Sequence, residues 1–341
     1  MVPFVSIIVP CYNEEKFIRQ LLENVIEQDY PAGQVEIIVI DGMSCDGTRD
    51  EIKKMIARDQ RIRLLDNERK YVPYALNKAI LESRGEFIVR MDAHANYPVS
   101  YLSVLIRNME ELKADNVGVA WITLPASDTV KCHAIAAAMS SSFGIGNAQY
   151  RLGTNEVKQV DTVPFGCYRR EVFNRIGLFD ESLLRNQDDE FNGRLSQHGG
   201  KIFLLPGHEI RYYARGKVQS MTRMFYQYGL FKPLVNRRLN KPATARQFVP
   251  PVFVAYLASL VILFFLLPGA AAWYSMFLGL YLVFNIYFSV SASARSGKGS
   301  LVFFLPWLFF LIHLSYGSGY IAGIYKFVLL SGNRPVIPSS R

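Results

Sequence analysis

Two stretches in the C-terminal third restrict the fold of this chain more than any other feature. Between Arg246 and Arg295 lie 48 consecutive uncharged residues, and a further 27 separate Lys298 from Lys326. A helix that crosses a bilayer needs about 20 apolar residues. Pro268-Gly269 divides the longer stretch into pieces of 21 and 25, so the pattern predicts three membrane spans, near residues 248–267, 271–292 and 301–324. Core helices of soluble proteins rarely run this long without a charge. A cleaved signal peptide is not expected, because the first residues read as a strand and the apolar runs lie at the far end.

Charge follows the same division. Residues 210–341 hold 14 basic residues and no acidic one, whereas residues 1–209 hold 24 basic and 29 acidic residues. The net +9 of the whole chain is therefore a mildly acidic front joined to a basic, apolar back. Such blocks mark contact with polyanions or membranes. Charge-free stretches dominate the basic part, so membrane lipids are the expected partner and nucleic acid is not. Half of the chain is hydrophobic, which excludes a disordered protein. The four cysteines form no CxxC pair, hence no zinc pattern, and a reduced cytosolic setting is expected for the front part.

Residues 5–9 (VSIIV) and 35–40 (VEIIVI) read as strands buried on both faces. Asn13 is expected to cap a helix carrying Phe17, Ile18, Leu21, Leu22, Val25 and Ile26 at helical spacing. Asp46-Gly47-Thr48 opens a second helix. Residues 62–65 form a third strand, 73–83 a helix, and 87–91 a fourth strand ending at Asp92. Alternating strands and helices predict a doubly wound, mainly parallel α/β sheet, whose ligands bind at the carboxyl ends of the strands. Tyr12-Asn13-Glu14, Asp41, and Asp92 with His94 stand at such ends. Residues 134–146 read as a mobile helix-loop, 188–198 as a helix and 202–205 as a short strand. Residues 221–238 mix aromatic and basic residues in a manner that suits a helix in the headgroup layer.

GxGxxG and GxxxxGK[ST] are absent, against a dinucleotide enzyme or P-loop ATPase, as are GxSxG and HExxH. What remains are acids. Asp92-Ala93-His94 sets a carboxylate and an imidazole on alternate positions of a strand end, a pair able to hold Mn²⁺ or Mg²⁺ while substrate phosphates complete the shell. Residues 186–194 (NQDDEFNGR) cluster Asp188, Asp189 and Glu190 where a helix N-terminus favours negative charge or where one acid serves as general base.

In this order, VSIIVPCYNE (5–14), IIVIDGMSCDGT (37–48), NKAILESRGEFIVRMD (77–92), IGLFDE (176–181) and QDDEFNGRL (187–195) resemble the family 2 glycosyltransferases of GT-A fold. The resemblance covers about residues 4–215. It is nearest to the exopolysaccharide subgroup of succinoglycan-type glucosyltransferases, which shares DAHA.YP (here 92–98) and three C-terminal spans. The resemblance implies that Pro10, Tyr12 and Glu14 line the nucleotide pocket, that Asp41 hydrogen-bonds the base of a UDP-sugar, and that Asn77 and Asp189 belong to the substrate-binding set. Asp92 and His94 stand where the family has D-x-D, with His94 in place of the second, metal-binding Asp. Asp188 takes the position of the catalytic Asp, with Gln187 where the family has Glu. The QxxRW motif of processive synthases is absent, so polymerisation is not expected. His208 is a further candidate ligand, and Tyr212 and Arg215 are candidates for phosphate or acceptor contact.

Together these expectations describe a membrane-anchored, metal-dependent, inverting hexosyltransferase. It moves one sugar from a nucleotide-sugar to a lipid-linked (polyprenyl pyrophosphate) glycan in exopolysaccharide or cell-surface glycan synthesis. A GT-A domain is expected over 1–215, an amphipathic interfacial region over 216–246 and a membrane region over 247–341. Two other readings are a polyprenyl-phosphate glycosyltransferase, which needs no general base, and an inactive sugar-nucleotide-binding scaffold. Arg237, Arg238, Lys241 and Arg246 precede the first span, and Arg295 and Lys298 follow the second. The positive-inside rule then places a multi-pass protein in the inner membrane with its catalytic domain in the cytoplasm. Three full spans put Lys326, Arg334 and Arg341 outside, against that rule. A third segment that is re-entrant, broken near Pro306 or Gly317-Ser318-Gly319, is the alternative, and a cysteine at position 339 that labels only after permeabilisation would decide for it.

Overall fold

A computed structural model describes residues 2–242 and 244–330; Arg334, Ser339 and Arg341 lie outside the described residues. From the N-terminus run β1 (Val5–Cys11), α1 (Ile18–Ile26), β2 (Val35–Asp41), α2 (Thr48–Arg58), β3 (Ile62–Asp66), α3 (Val72–Glu82), β4 (Phe87–Arg90), β5 (Ala95–Asn96), α4 (Tyr101–Glu111) and β6 (Asn116–Leu124). Three helices follow, α5 (Val130–Ala138), α6 (Ser142–Ile145) and α7 (Gln149–Leu152), then β7 (Lys158–Gln159), β8 (Cys167–Arg169), α8 (Arg170–Ile176), α9 (Gln187–Gln197) and β9 (Ile202–Tyr213). The chain continues through α10 (Val218–Leu239), α11 (Val249–Leu266), α12 (Pro268–Tyr274), α13 (Met276–Arg295) and α14 (Leu305–Ile324).

The chain divides into two compact units. Of the described residues, one comprises those up to Ile122 together with Gly153–Tyr212; the other comprises Thr123–Leu152 and those from Tyr213 to Leu330.

The first unit is built on a nine-stranded sheet of order β3-β2-β1-β4-β8-β6-β9-β5, with β7 pairing on β9. The expected parallel arrangement holds for β3-β2-β1-β4, in register Ile7↔Ile37 and Ile7↔Val89. Beyond β4 the sheet turns antiparallel at β8, and β5 and β7 pair antiparallel with β9. The short strand expected over 202–205 is the start of this 12-residue strand. β1 and β2 carry apolar side chains on both faces because both faces are covered. Two polar residues interrupt them. Ser6 and Glu36 are buried and satisfy each other (Ser6 Oγ donates to Glu36, 2.6 Å), while the Gly85 N–H donates to Ser6 Oγ at 2.7 Å. Gly85 allows this approach, since a Cβ there would lie 2.4 Å from the Ser6 nitrogen.

Asn13 does not cap α1. Its backbone is left-handed (φ 54°), and α1 starts only at Ile18 without a side-chain cap. The Asn13 side chain instead accepts the Cys45 N–H (2.9 Å), and its own N–H donates to Ser44 Oγ (2.8 Å). The loops after β1 and β2 are thereby tied together, a tertiary demand stronger than the local capping preference.

In the second unit, residues 130–145 form α5 and α6, and three helices are long and apolar enough to cross a membrane: Ala245–Leu266, Pro268–Arg295 and Leu305–Leu329. The aromatic and basic stretch forms α10, but its buried face, including Met224, Phe225, Phe231 and Leu234, packs on α14. Gly319 and Gly323 let the two backbones touch: a Cβ on either would lie 2.1–2.2 Å from the carbonyl of Tyr226 or Leu230. Small residues permit such close approach between apolar helices.

Candidate active site

The carboxyl ends of β1, β2 and β4 meet where the strand order reverses, with β2 on one side of β1 and β4 on the other. Loops leaving neighbouring strands in opposite directions open a crevice at such a point. Pro10 and Tyr12 lie at the end of β1, and Tyr12 packs over Gly42, where a Cβ would come within 3.1 Å of its ring. The Glu14 N–H donates to Thr48 Oγ1 at 2.7 Å.

Asp41, the last residue of β2, is fully buried. Its carboxylate accepts from the Ser44 N–H (3.0 Å), the Ser44 hydroxyl, and Arg49 Nη1 (2.8 Å). Arg49 also reaches the half-exposed Asp66 at the end of β3 (2.7 Å). Arg49 and Ser44 thus hold the Asp41 carboxylate in this structure.

The centre of the site is a residue that the sequence reading passed over. Arg90, at the end of β4, is 7% exposed. Its Nε and Nη2 meet the two oxygens of Asp92, each at 2.8 Å. Its Nη1 meets both oxygens of Asp188, at 3.0 and 3.1 Å. One guanidinium thus joins two carboxylates that stand 96 positions apart. Charge-assisted forks of this kind are the strong members of the hydrogen-bond class. The Arg90 cation also lies over the Phe165 ring (5.2 Å), which stacks on Trp121, which stacks on Tyr212 (4.9 and 4.8 Å). A detectable signal was present: an arginine ending a strand otherwise buried on both faces needs carboxylate partners.

Asp188 stands in the first turn of α9, which the structure anchors from two sides. Phe191 packs among Tyr168, Phe173 and Phe179. Fully buried Asn192 donates to Thr162 Oγ1 (2.8 Å) and accepts from Asn116 (2.9 Å). Burial pushes the Asp188 carboxyl above the usual carboxylate range; the Arg90 guanidinium opposes this, while Asp92 and Asp189 add to it. The result is a more basic carboxylate than a surface Asp, held at a fixed position.

His94 and Glu14 are in contact, Nε2 to Oε1 at 2.9 Å, and the His94 ring meets Phe17 edge-on at 4.7 Å. The Asp92 carboxylate keeps a quarter of its surface exposed, and His94 more than a third. Among the described residues no three His, Cys, Asp or Glu side chains converge. This donor set fits a hard divalent cation that takes most of its ligands from substrate phosphates, because each Asp92 oxygen retains a lone pair beyond the one Arg90 uses.

Asn77 and Arg215 were also expected in the substrate-binding set. Asn77 is turned into the protein: its amide accepts the Phe179 N–H (3.0 Å) and donates to the Phe179 carbonyl (2.9 Å) and Glu181 (3.0 Å). These bonds pin the IGLFDE loop. Arg215 is exposed and belongs to the second unit. His208 meets Ser100 (3.3 Å) and Tyr212 is engaged by Trp121.

Comparison with known proteins adds four findings. The model of the family described as Glycosyl transferase family 2 matches residues 6–177. The chain is 31% identical over 241 residues, 69% of its length and 74% of the relative's, to dolichyl N-acetyl-alpha-D-glucosaminyl phosphate 3-beta-D-2,3-diacetamido-2,3-dideoxy-beta-D-glucuronosyltransferase of Methanococcus voltae. It is 31% identical over 225 residues, 65% of its length and 67% of the relative's, to succinoglycan biosynthesis protein ExoA of Rhizobium meliloti. Among solved structures, the mannosyltransferase PcManGT of Pyrobaculum calidifontis, in complex with GDP-Man and Mn²⁺, superimposes with a TM-score of 0.57 over 93% of this chain and 87% of that one, at 18% identity. That last likeness concerns the fold.

Proposed function

The chain belongs to glycosyl transferase family 2, and from that premise we propose that it transfers a single sugar from a nucleotide-sugar to a hydroxyl of a lipid-linked acceptor, with inversion, at the cytoplasmic face of a membrane. The observation that carries this reading is Arg90 joining Asp92 to Asp188. In this reading Asp92 serves the donor side and Asp188 the acceptor side of a single buried cation.

Asp92 and His94 would hold a divalent ion, which when bound neutralises the diphosphate leaving group. The other roles fall to the chain itself. Pro10, Tyr12 and Glu14 border the nucleotide, and Arg49, fixed by Asp41 and Asp66, presents donors beside it. Asp188 takes the acceptor proton as the hydroxyl oxygen bonds to the anomeric carbon and the bond to the diphosphate oxygen breaks. Its raised pKa suits a general base. One base and no second nucleophile give a single displacement, hence inversion. Asp189 lies beside it, where it can orient the acceptor.

A hydroxyl acceptor is favoured over a lipid phosphate by the Methanococcus relative, whose name specifies a dolichyl-linked sugar as acceptor. The succinoglycan relative supports a role in exopolysaccharide synthesis; UDP as the carrier is part of the proposal. GDP-mannose and Mn²⁺ in the mannosyltransferase support a nucleotide-sugar and a divalent ion in this fold.

Asp188→Asn tests the reading, with nucleotide release measured with and without acceptor lipid. Acceptor-dependent release is expected to fall at least about 100-fold, the usual worth of a general base, while donor binding persists. Near-normal turnover would move the chemistry to a phosphate acceptor or to another base.

A further inference from the structure

α14 is apolar enough for a third span, yet its contacts do not run as those of a span. α11 and the α12–α13 pair form an antiparallel hairpin. The Tyr256 hydroxyl donates to the Tyr274 carbonyl (3.0 Å), Ser259 bonds the Tyr274 hydroxyl (3.1 Å), and Phe253 stacks on Tyr281 (4.2 Å). A span following α13 must run antiparallel to it and so parallel to α11, bringing its C-terminal half beside the distal half of α11.

The opposite is found. Tyr320 meets Phe248, ahead of the start of α11 (5.8 Å). A Cβ on Gly317 would lie 2.4 Å from the Pro250 carbonyl. His313 lies 6.3 Å from Phe253, and Asn285 donates to the Pro306 carbonyl (3.0 Å). α14 therefore crosses the hairpin at the first two turns of α11. Its last turns continue alongside α10, where Asn236 donates to the Tyr320 hydroxyl (3.0 Å) and Arg237 to the Phe327 carbonyl (2.8 Å).

Exposure agrees with the direction. Val261, Ile262, Phe264, Phe265 and Leu266, in the distal half of α11, are each more than half exposed, as no third span covers them. Of the most apolar window of the α14 segment 39% is buried in protein, against 6% and 17% for the other two. No residue from 308 to 320 is exposed. Phe143 of α6 packs on Phe309 and His313, closing a side that lipid would otherwise occupy. The central part of α14 is thus covered largely by protein, while Trp307, Ile321 and Ile324 near its ends stay exposed.

We propose that the chain crosses the bilayer only twice, through α11 and α12–α13. α14 lies across the hairpin within the leaflet where α11 begins, so that the described chain, up to Leu330, ends on the side from which α11 enters. The two-span surface is long enough. From Pro268 to Val290 the rise is roughly 33 Å at 1.5 Å per residue, against a hydrocarbon core of about 30 Å. Charge is consistent as well: Arg237, Arg238, Lys298 and Lys326 fall on one side, as the positive-inside rule requires, whereas three spans would separate Lys326 from the rest. This inference rests on reading the hairpin as membrane-spanning, not on the sugar-transfer chemistry.

The test uses the full chain with green fluorescent protein or alkaline phosphatase appended after residue 341. It is paired with Ala270→Cys at the hairpin tip, labelled by a membrane-impermeant maleimide in intact bacteria. The expected result is bright fluorescence, silent phosphatase, labelling of Ala270→Cys, and no labelling of the wild type, whose exposed Cys45 reports the catalytic side. Active phosphatase with Cys45 protected would restore three spans and overturn the proposal. Bright fluorescence with Ala270→Cys protected would overturn it too, because the hairpin would then not reach the far side. Labelling of wild-type Cys45 from outside would refute the cytoplasmic orientation alone, the proposal then requiring the appended reporter to share that outer side. Release of the chain by carbonate washing would remove the membrane reading itself.

Discussion

Replacing Arg90 tests the site at its centre. The guanidinium makes four charge-assisted bonds of 2.8–3.1 Å to two carboxylates. Lys keeps the charge but offers one ammonium on a flexible stem, without the planar fork, so Arg90→Lys can serve one carboxylate well and leaves the other slack. A hydrogen bond to a charged group is worth about 1.5–3 kcal/mol. If that loss is felt in the transition state, kcat falls roughly 10–150-fold, at about 1.4 kcal/mol per tenfold. The pH profile separates positioning from mere structure. Asp188 has a raised pKa that Arg90 holds back, so removing the cation in Arg90→Met raises it further. A base works only when deprotonated, so activity is lost as pH falls through its pKa. The acidic limb of kcat/KM must therefore move to higher pH in Arg90→Met and less so in Arg90→Lys. Nucleotide release across pH is the assay, with thermal unfolding as control, since stripping one partner from a buried ion pair costs about 3–5 kcal/mol. A folded Arg90→Met enzyme with an unmoved acidic limb and a kcat within a few-fold of wild type would refute the reasoning.

Two further outcomes follow from the same geometry. Asn77→Ala removes two buried hydrogen bonds and one part-buried one at a cost of about 1–3 kcal/mol for the groups left unpaired. Its midpoint should drop by several degrees at roughly 2–4 °C per kcal/mol while the donor KM stays put; a KM rise without a Tm change would return Asn77 to the pocket. His94→Asp exchanges an imidazole for a harder oxygen ligand and breaks the contact with Glu14, so turnover with Mg²⁺ should rise relative to Mn²⁺, and an unchanged metal ratio in nucleotide-release assays would argue against His94 as a ligand.

The strand ends that build the crevice were readable because a strand buried on both faces leaves an unbroken apolar run, and its end is marked by the first polar residue. Val5–Cys11 and Val35–Asp41 are such cases, and Asp41, Asp92 and Asp188 were found this way or through motif order. The antiparallel half of the sheet was less legible. β7 and β8 have two and three residues, too short for any periodicity, and their pairing depends on what arrives beside them. Asn13 shows the reverse failure, a good local capping residue overruled by contacts with a loop some 30 positions away.

By itself, then, the sequence determined which segments leave water, since burial of apolar residues is a property of composition along the chain, and it placed the acids at the strand ends. Tertiary structure alone decided what those segments and acids touch. Arg90 is one more residue of a strand until folding brings Asp188 to it from 98 positions away. An uncharged helix reads the same whether its neighbours are lipid tails or other side chains, because both are equally apolar. Only the direction in which α14 crosses α11, and the glycines that bring it against α10, distinguish the two.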